Sequence, residues 1–571
     1  MTDHNSYWSR RSRRAFLRST ALTGAGAAAF LAGCRSTSPA APASTTSSTA
    51  APGATALYTV AEARRGGTIT VDGSEPTTGW DPHATAAAFT SAVVEPLHLK
   101  LIRHDYRRTP PYANGSDTLV GELAEKWENP DPLTYTFTLR KGLNWPDQEP
   151  MSGRAITAED VKYTFDHALL PASTVQTYVY DNLASITVID TQTVQLKLKR
   201  PNFFFPSDVD SISSLVLPKG YFEWAGKDSQ EASKARGGGP WLLEEYKPGS
   251  VVKYRPNPTY QKYFGVPYAD HLNIAILAGG APKLQSFIAK GIQVYNPSGG
   301  EVDPAKKSRP DAKFKDGLFL GGAGTSMSIK TTQKPFDDVR VRRALSMAVD
   351  RDGWGKVLQV PYKAESGPIA WAYPNWKTAP SDMPADTQKW LKYDVAEAKK
   401  LVDAAGIKSS TEYLLNYYPY DPTYTPQAQL LIDSANKIGI TIKGKIYEYN
   451  NWLASAFIGK YDGLLYSPDA GLDRVSSGLA DRLLKGSIKN HSDVSDDETQ
   501  EMLKNFVGAK TDAAAKDLAK KLQIRSVDQA FSVYSPAPSA TTLWDPALQN
   551  YEGERAFNYQ YNYRYTFTWL S

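Results

Sequence analysis

A single cysteine, Cys34, among 571 residues leaves no pair for a disulfide and no second thiolate for a metal site. Histidine is scarce as well: positions 4, 83, 98, 104, 167, 271 and 491 include no i, i+4 pair, so the chain offers no recognisable metal centre and no cofactor is expected. A charge excess is also missing. The formal charge is +5, and residues 1–33 hold Arg10, Arg11, Arg13, Arg14 and Arg18 against Asp3, so the remainder carries +1 and nucleic-acid binding has no electrostatic support. No apolar run reaches the roughly 20 residues that a membrane-spanning helix needs. Catalytic signatures are lacking in turn, with no Gly-x-Ser-x-Gly, His-Glu-x-x-His, phosphate-loop or dinucleotide glycine pattern. Ser434, Ala435, Asn436 and Lys437 have the spacing of an acylating Ser-x-x-Lys, but without its companion motifs and late in an expected surface helix they read as coincidence. Gly237 to Gly239 lack the Lys-Ser/Thr of a phosphate loop and read as a turn. No catalytic residue is assigned, and a secreted hydrolase would need a nucleophile and base that the sequence does not offer.

What is present is the composition of an ordinary folded protein, 41% hydrophobic and 22% charged, and the length suggests three or four domains at about 150 residues each. Aromatic residues reach 11%, with 33 Tyr and 13 Trp, which suits both large cores and stacking on ligands. At the N-terminus, Leu31, Ala32, Gly33, Cys34 matches the pattern at which bacterial lipoprotein precursors are cleaved and lipidated. Arg13 and Arg14, within Ser12 to Arg18, resemble the twin-arginine export signal. The stretch from Ala21 to Ala32 is short, Gly/Ala-rich and too small to span a bilayer. Residues 1–34 are therefore expected to be a signal with its lipidation site, and residues 35–65 a disordered tether. Its first 23 residues, almost wholly Ser, Thr, Ala, Pro and Gly, span roughly 75 Å fully extended.

Further along, alternation and caps mark regular elements. Thr68 to Val71 reads as a strand, Tyr135, Phe137 and Leu139 alternate as a half-buried strand, and Ile186 to Leu198 forms a hairpin around Asp190 to Thr193. Thr157 to Asp160 is a capping box opening a helix whose Val161, Phe165, Ala168 and Leu169 face inward. Asp337 or Asp338 caps a helix with Val341, Leu345 and Ala348 inward and its arginines outward, Asp394 caps another that ends at Gly406, and Pro426 to Ile438 leads through Gly439 into a strand.

These pieces resemble, in order, the family 5 extracellular solute-binding proteins of ABC importers, over roughly residues 66 to 570. The resemblance rests on Gly66 to Val71 with Glu75, Pro76 and Asp81 to His83, on Leu123 to Trp127, and on Thr157 to Phe165. It continues with Gly239 to Trp241 followed by Glu245 to Gly249, most strongly with Pro335 to Leu345, and then with Gly367 to Ile369. It implies an α/β fold, a two-lobed periplasmic-binding-protein type II clamshell with an extra inserted α+β domain. The expected boundaries are 66–98, 196–294 and 525–571 for lobe I, 99–195 for the insert and 295–524 for lobe II.

The resemblance also implies a ligand held between lobes by Glu75, Trp80, Trp371, Tyr418, Tyr420, Tyr466 and Asp469, with Asp469 as the partner of a peptide's amino terminus. Trp452 is expected in the core. Asp469 stands seven residues after Asp462, closer than the family spacing, while Gly291, Ile292, Gln293 and Lys330 also depart from the family pattern. The implied function is a monomeric, lipid-anchored receptor outside the cytoplasmic membrane. It would bind a small polar ligand, a short peptide or else an oligosaccharide, and deliver it to an ABC permease. A solute sensor without transport would share the same sequence.

Overall fold

The computed structural model describes residues 60–73, 79–83, 88–105, 119–169, 180, 182–211, 214–278, 280–297, 299–318, 322–358, 360–363, 367–369, 373, 375–407, 411–419, 423–470, 475–487, 489–553 and 561–571. The chain divides into two units, Met1–Ala50 and Ala51–Ser571, and every described residue lies in the second. Cys34, Arg13 and Arg14 fall outside the described residues.

Thr68–Gly73 forms a strand because alternate residues are apolar: Ile69 and Val71 are buried while Thr68 and Thr70 are half-buried. It sits inside an eight-stranded sheet of order Lys313–Leu318, Ala537–Trp544, Val294–Tyr295, Thr68–Gly73, His271–Ile276, Val251–Pro256, Trp241–Lys247, with Tyr362–Lys363 added beside Ala537–Trp544. A second sheet of five strands has the order Thr441–Ile446, Glu412–Tyr417, Leu464–Ala470, Gly322–Ile329, Ser532–Tyr534. Each sheet has its own core. Ile69, Trp241, Tyr254 and Ile274 pack in the first, and Ile329, Leu345, Trp354, Leu431 and Tyr466 in the second.

Besides the excursion to Tyr362–Lys363, two short connections carry the chain directly from a strand of one sheet to a strand of the other. One leaves the first sheet at Lys313–Leu318 and enters the second as Gly322–Ile329; the other leaves the second at Ser532–Tyr534 and re-enters the first at Ala537 after only Ser535 and Pro536. The expected lobe boundaries differ from this sheet membership. Lys313–Leu318 and Tyr362–Lys363 belong to the first sheet and Ser532–Tyr534 to the second, because antiparallel pairing of the two crossing segments on both sides draws their ends into both sheets.

The inserted region is a four-stranded antiparallel sheet, Ala124–Asp131, Thr134–Leu139, Thr193–Leu198, Leu183–Asp190, covered by helix Ala158–Ala168. Tyr135, Phe137 and Leu139 are buried as their alternation implies, and Thr157 with Asp160 makes the reciprocal capping box. Asp338 and Asp394 also cap their helices, accepting from the amides of Arg340 and Glu397. One expectation fails on that first helix. Arg342 does not face solvent; it is buried and donates to the carbonyls of Phe336, Asp337 and Gln529, and burial, with the neighbouring Arg343 charge, lowers its pKa to about 10.

Residues 60–65, expected to be tether, are seated on the body. The Val60 amide donates to the Tyr268 hydroxyl at 2.8 Å, and Arg65 donates to the Gly265 carbonyl at 2.7 Å. These hydrogen bonds offset the entropy that would otherwise leave such a segment free.

A buried ionic network joins residues 95–104 and Glu122 to Asp210, Tyr260 and Tyr563. Arg103 bonds Glu122 at 2.9 Å and Glu95, and its guanidinium lies 3.4 Å from the centroid of the Tyr563 ring. Glu122 also accepts from the Lys100 amide at 2.7 Å, the Tyr563 hydroxyl at 2.6 Å and the Tyr260 hydroxyl at 3.2 Å. Lys100 reaches the Asp210 carbonyl at 2.6 Å, and His104 pairs with the Asp210 carboxylate. All these groups are almost fully buried. Burial raises the Glu95 pKa against the pull of Arg103 and Lys100, whereas Lys100 and His104 outweigh burial and hold Asp210 low.

Candidate functional site

In the second sheet, Glu412–Tyr417 runs parallel to both Thr441–Ile446 and Leu464–Ala470, with Tyr417 level with Tyr466. Their carboxyl ends therefore open on one side. Gly322 enters level with Ala470, and Tyr534, which leads out to the first sheet, is level with Ser326. The crossing segments thus enter and leave on that same side. In the first sheet, Thr68–Gly73 is parallel to Val294–Tyr295, which is antiparallel to Ala537–Trp544, so it too runs toward the side where the chain crosses. Ligands of open α/β sheets bind beyond carboxyl strand ends at such reversals of order.

Tyr418 and Asp469 sit at this side of the second sheet. Asp469 lies at a register shift, where Gly322 pairs with Ala470 but Thr325 with Pro468, so the facing strand carries an extra residue. Tyr418 is half-buried, its ring 5.2 Å from that of Tyr449 and 6.2 Å from that of Trp452, and burial raises its pKa. Glu75, Trp371 and Tyr420 lie outside the described residues.

Two expected ligand contacts are core residues instead. Trp80 is 3% exposed, packed with Ile69, Val71 and Trp241, its ring edge-on to Tyr246 at 5.2 Å. Its chain position suggests the mouth of the cleft, but the apolar area it removes from water is satisfied inside the first lobe. Tyr466 is fully buried among Trp354, Tyr424 and Leu431, its hydroxyl donating to Gln427 Oε1 at 2.8 Å. Trp452 is buried as expected.

The departures from the family pattern have structural roles. Lys330 bonds the Gly459 carbonyl at 2.9 Å and Asp493 at 2.7 Å and lies 4.7 Å over the Tyr461 ring. Gln293 accepts from the Thr70 amide at 2.5 Å, tying two strands of the first sheet. The three glycines allow close approach, since a Cβ would stand 2.0 Å from the Leu97 carbonyl oxygen at Gly237 and 2.5 Å from the His98 nitrogen at Gly239. The Ser434 hydroxyl donates to Leu430 within its own helix, the back-bonding of an ordinary helical serine. Among the described residues no His, Cys, Asp and Glu cluster could hold a metal ion, and no helix is long and apolar enough to cross a membrane. What sequence reasoning missed is the ionic network, whose signal was the charge set into the apolar run from Glu95 to Asp105.

Residues 118–487 match the family described as bacterial extracellular solute-binding proteins, family 5. The chain belongs to this family. Among curated relatives of this solute-binding protein, the di/tripeptide-binding protein 2 of Pseudomonas aeruginosa is 28% identical over 68% of this chain and 74% of its own length. Among solved structures, the oligopeptide-binding protein AppA from Bacillus subtilis, in complex with a nonapeptide, superposes with a TM-score of 0.70 at 19% identity, covering 89% of this chain and all of that one. The binding protein AgaA of A. tumefacien R10, in complex with agropinic acid, gives 0.75 at 18% identity over 88% and 99%. The family 5 fold is that of type II periplasmic binding proteins, as expected, and the family serves ABC importers.

Proposed function

We propose that this protein is the lipid-anchored receptor of an ABC importer for short peptides, closing its two lobes on the ligand and presenting it to a permease. The lobes follow the two large sheets, with the four-stranded region as insert, and the ligand lies where the strand ends meet the crossing segments. The observation that carries the reading is the shared register, which brings Tyr418 and Asp469 to one side of the second sheet and aims the Thr68–Gly73 strand toward the crossing side of the first. The di/tripeptide-binding relatives support a peptide. The oligosaccharide alternative rests on stacking by Trp80, Trp371 and the tyrosines, and of these Trp80 is in the core.

Ligand that bridges both lobes favours the closed state by its differential affinity. Trialanine at a hundredfold its dissociation constant is expected to stabilise the protein by about 2.7 kcal/mol and to shrink the radius of gyration in solution scattering. Asp469→Asn should weaken that binding by roughly 2 to 5 kcal/mol, because a bound ammonium loses its charged partner. Stabilisation without compaction would reject lobe closure, and undiminished binding by Asp469→Asn would remove Asp469 from the site.

The anchor has its own test. With Cys34→Ala the protein is expected to leave the membrane fraction, since no thiol remains to take the diacylglycerol. Membrane fractionation equal to wild type would overturn lipidation at Cys34.

A further inference from the structure

On helix Tyr424–Lys437, Gln427 is 1% exposed and its side-chain amide is hydrogen-bonded at both ends. Its Oε1 accepts from Trp354 Nε1–H at 2.7 Å and from the Tyr466 hydroxyl at 2.8 Å, while its Nε2 donates to Thr423 Oγ1 at 2.9 Å. Two donors aimed at one atom fix which end of the amide is oxygen.

Each partner belongs to a different element. Thr423 is the N-cap residue of the helix, directly after the 418–422 segment. Tyr466 lies in the strand that carries Asp469, three positions before it. Trp354 is on helix Arg351–Val357, which precedes the Tyr362–Lys363 strand of the first sheet. The Tyr362 ring rests on Gly355 of that helix, so tightly that a Cβ there would stand 2.1 Å from it, and its hydroxyl donates to Asp352 at 2.6 Å. Tyr362 and Lys363 in turn pair with Pro538 and Ala537, next to the crossing residues Ser535 and Pro536.

We propose that Gln427 is a positioning residue for ligand binding: one buried amide holds the helix start at Thr423, the Asp469 strand and helix Arg351–Val357 in fixed mutual register. The proposal rests on the reading of this side of the sheet as the ligand site. A buried amide that served packing alone would affect stability without singling out these segments.

The test is amide hydrogen exchange on the full chain, each variant taken equally far below its own midpoint, together with trialanine titration. Gln427→Leu is expected to raise exchange by about tenfold or more in residues 412–424 and 464–470 together, leaving 68–73 and 271–276 unchanged. Tyr466→Phe, which removes one arm and keeps the ring, should raise exchange in 464–470 alone, and it carries the test if Gln427→Leu does not fold. Gln427→Leu should also weaken trialanine binding by about tenfold or more, as misplacement of a preorganised site does. Exchange that rises evenly over the second sheet, or not at all, would overturn the positioning role, as would unchanged trialanine affinity in Gln427→Leu. A wild-type chain that ignores trialanine would reject the peptide reading, and the exchange pattern would then decide the role of Gln427 by itself.

Discussion

Acidification from pH 7 to pH 4 is expected to remove on the order of 5 to 10 kcal/mol from the folded state, at about 1.36 kcal/mol per unit of pKa shift. The cause is three histidines buried neutral. Burial, with the facing His167 ring, lowers His83 to about 4, burial lowers His98 to about 3 with His83 adding, and burial lowers His491 to about 3 against the favourable contact with the Phe457 carbonyl. In the unfolded chain each titrates near 6.5. Between these values the unfolded state binds more protons than the folded one, so stability is complete above pH 6.5 and falls as pH drops toward 4 and 3. Asp210, held low, keeps its own contribution until the pH falls below the ordinary carboxylate range. Denaturant midpoints measured across pH 7 to 4 check this, and a midpoint independent of pH over that span would show that these imidazoles are not buried neutral.

Replacing Arg103 by Met is expected to cost about 3 to 5 kcal/mol, the range for removing one partner of a buried ion pair. The loss comes less from the vanished bonds than from what stays behind. Glu95 and Glu122 would remain buried with Lys100 as the cation close to Glu95, and Glu95 is already pushed up by burial. Pairing Arg103→Met with Glu95→Leu should recover a large part of the loss, because an apolar pair of similar volume carries no desolvation penalty. Equilibrium unfolding of the two variants gives the answer; a double variant no more stable than the single one would mean that Arg103 acts mainly through packing on Tyr563.

The elements that could be read from the chain were those whose cause is local. Ile69 and Val71 alternate within six residues, Asp338 and Asp394 cap the helices that follow them, and Thr157 finds its partner three residues on. Family resemblance supplied the two-lobed arrangement. What stayed hidden depends on residues far apart in sequence. Leu318 pairs with Ser539, so no local pattern shows that the strand ending at 318 belongs to the first sheet. Arg342 looks like a surface arginine until the Gln529 carbonyl arrives from a helix end far along the chain. Trp80 and Tyr466 illustrate the same limit: an aromatic near a strand end can be used for the core, and the sequence alone does not tell that use from ligand contact. Tyr418 and Asp469 come to one side of the second sheet because strand direction follows from the order of elements.

The arrangement of the first sheet bears on how the protein is made. Thr68–Gly73 is among the earliest strands to leave the ribosome, yet Ala537–Trp544, which must lie beyond Val294–Tyr295 to extend the sheet, is among the last. The same distance is spanned by the hydrogen bond from Asn562 to the Ala92 carbonyl, whose ends are 470 residues apart. At roughly 5 to 20 residues per second, that interval is on the order of half a minute to a minute and a half of synthesis. The edge of Val294–Tyr295 itself waits for the chain from Tyr295 to Ala537, on the order of 10 to 50 seconds at that rate, and an open edge invites pairing with another nascent polypeptide. The first lobe can therefore close only after translation is almost finished, and its yield in the cell depends on what shields that edge while the ribosome is still at work.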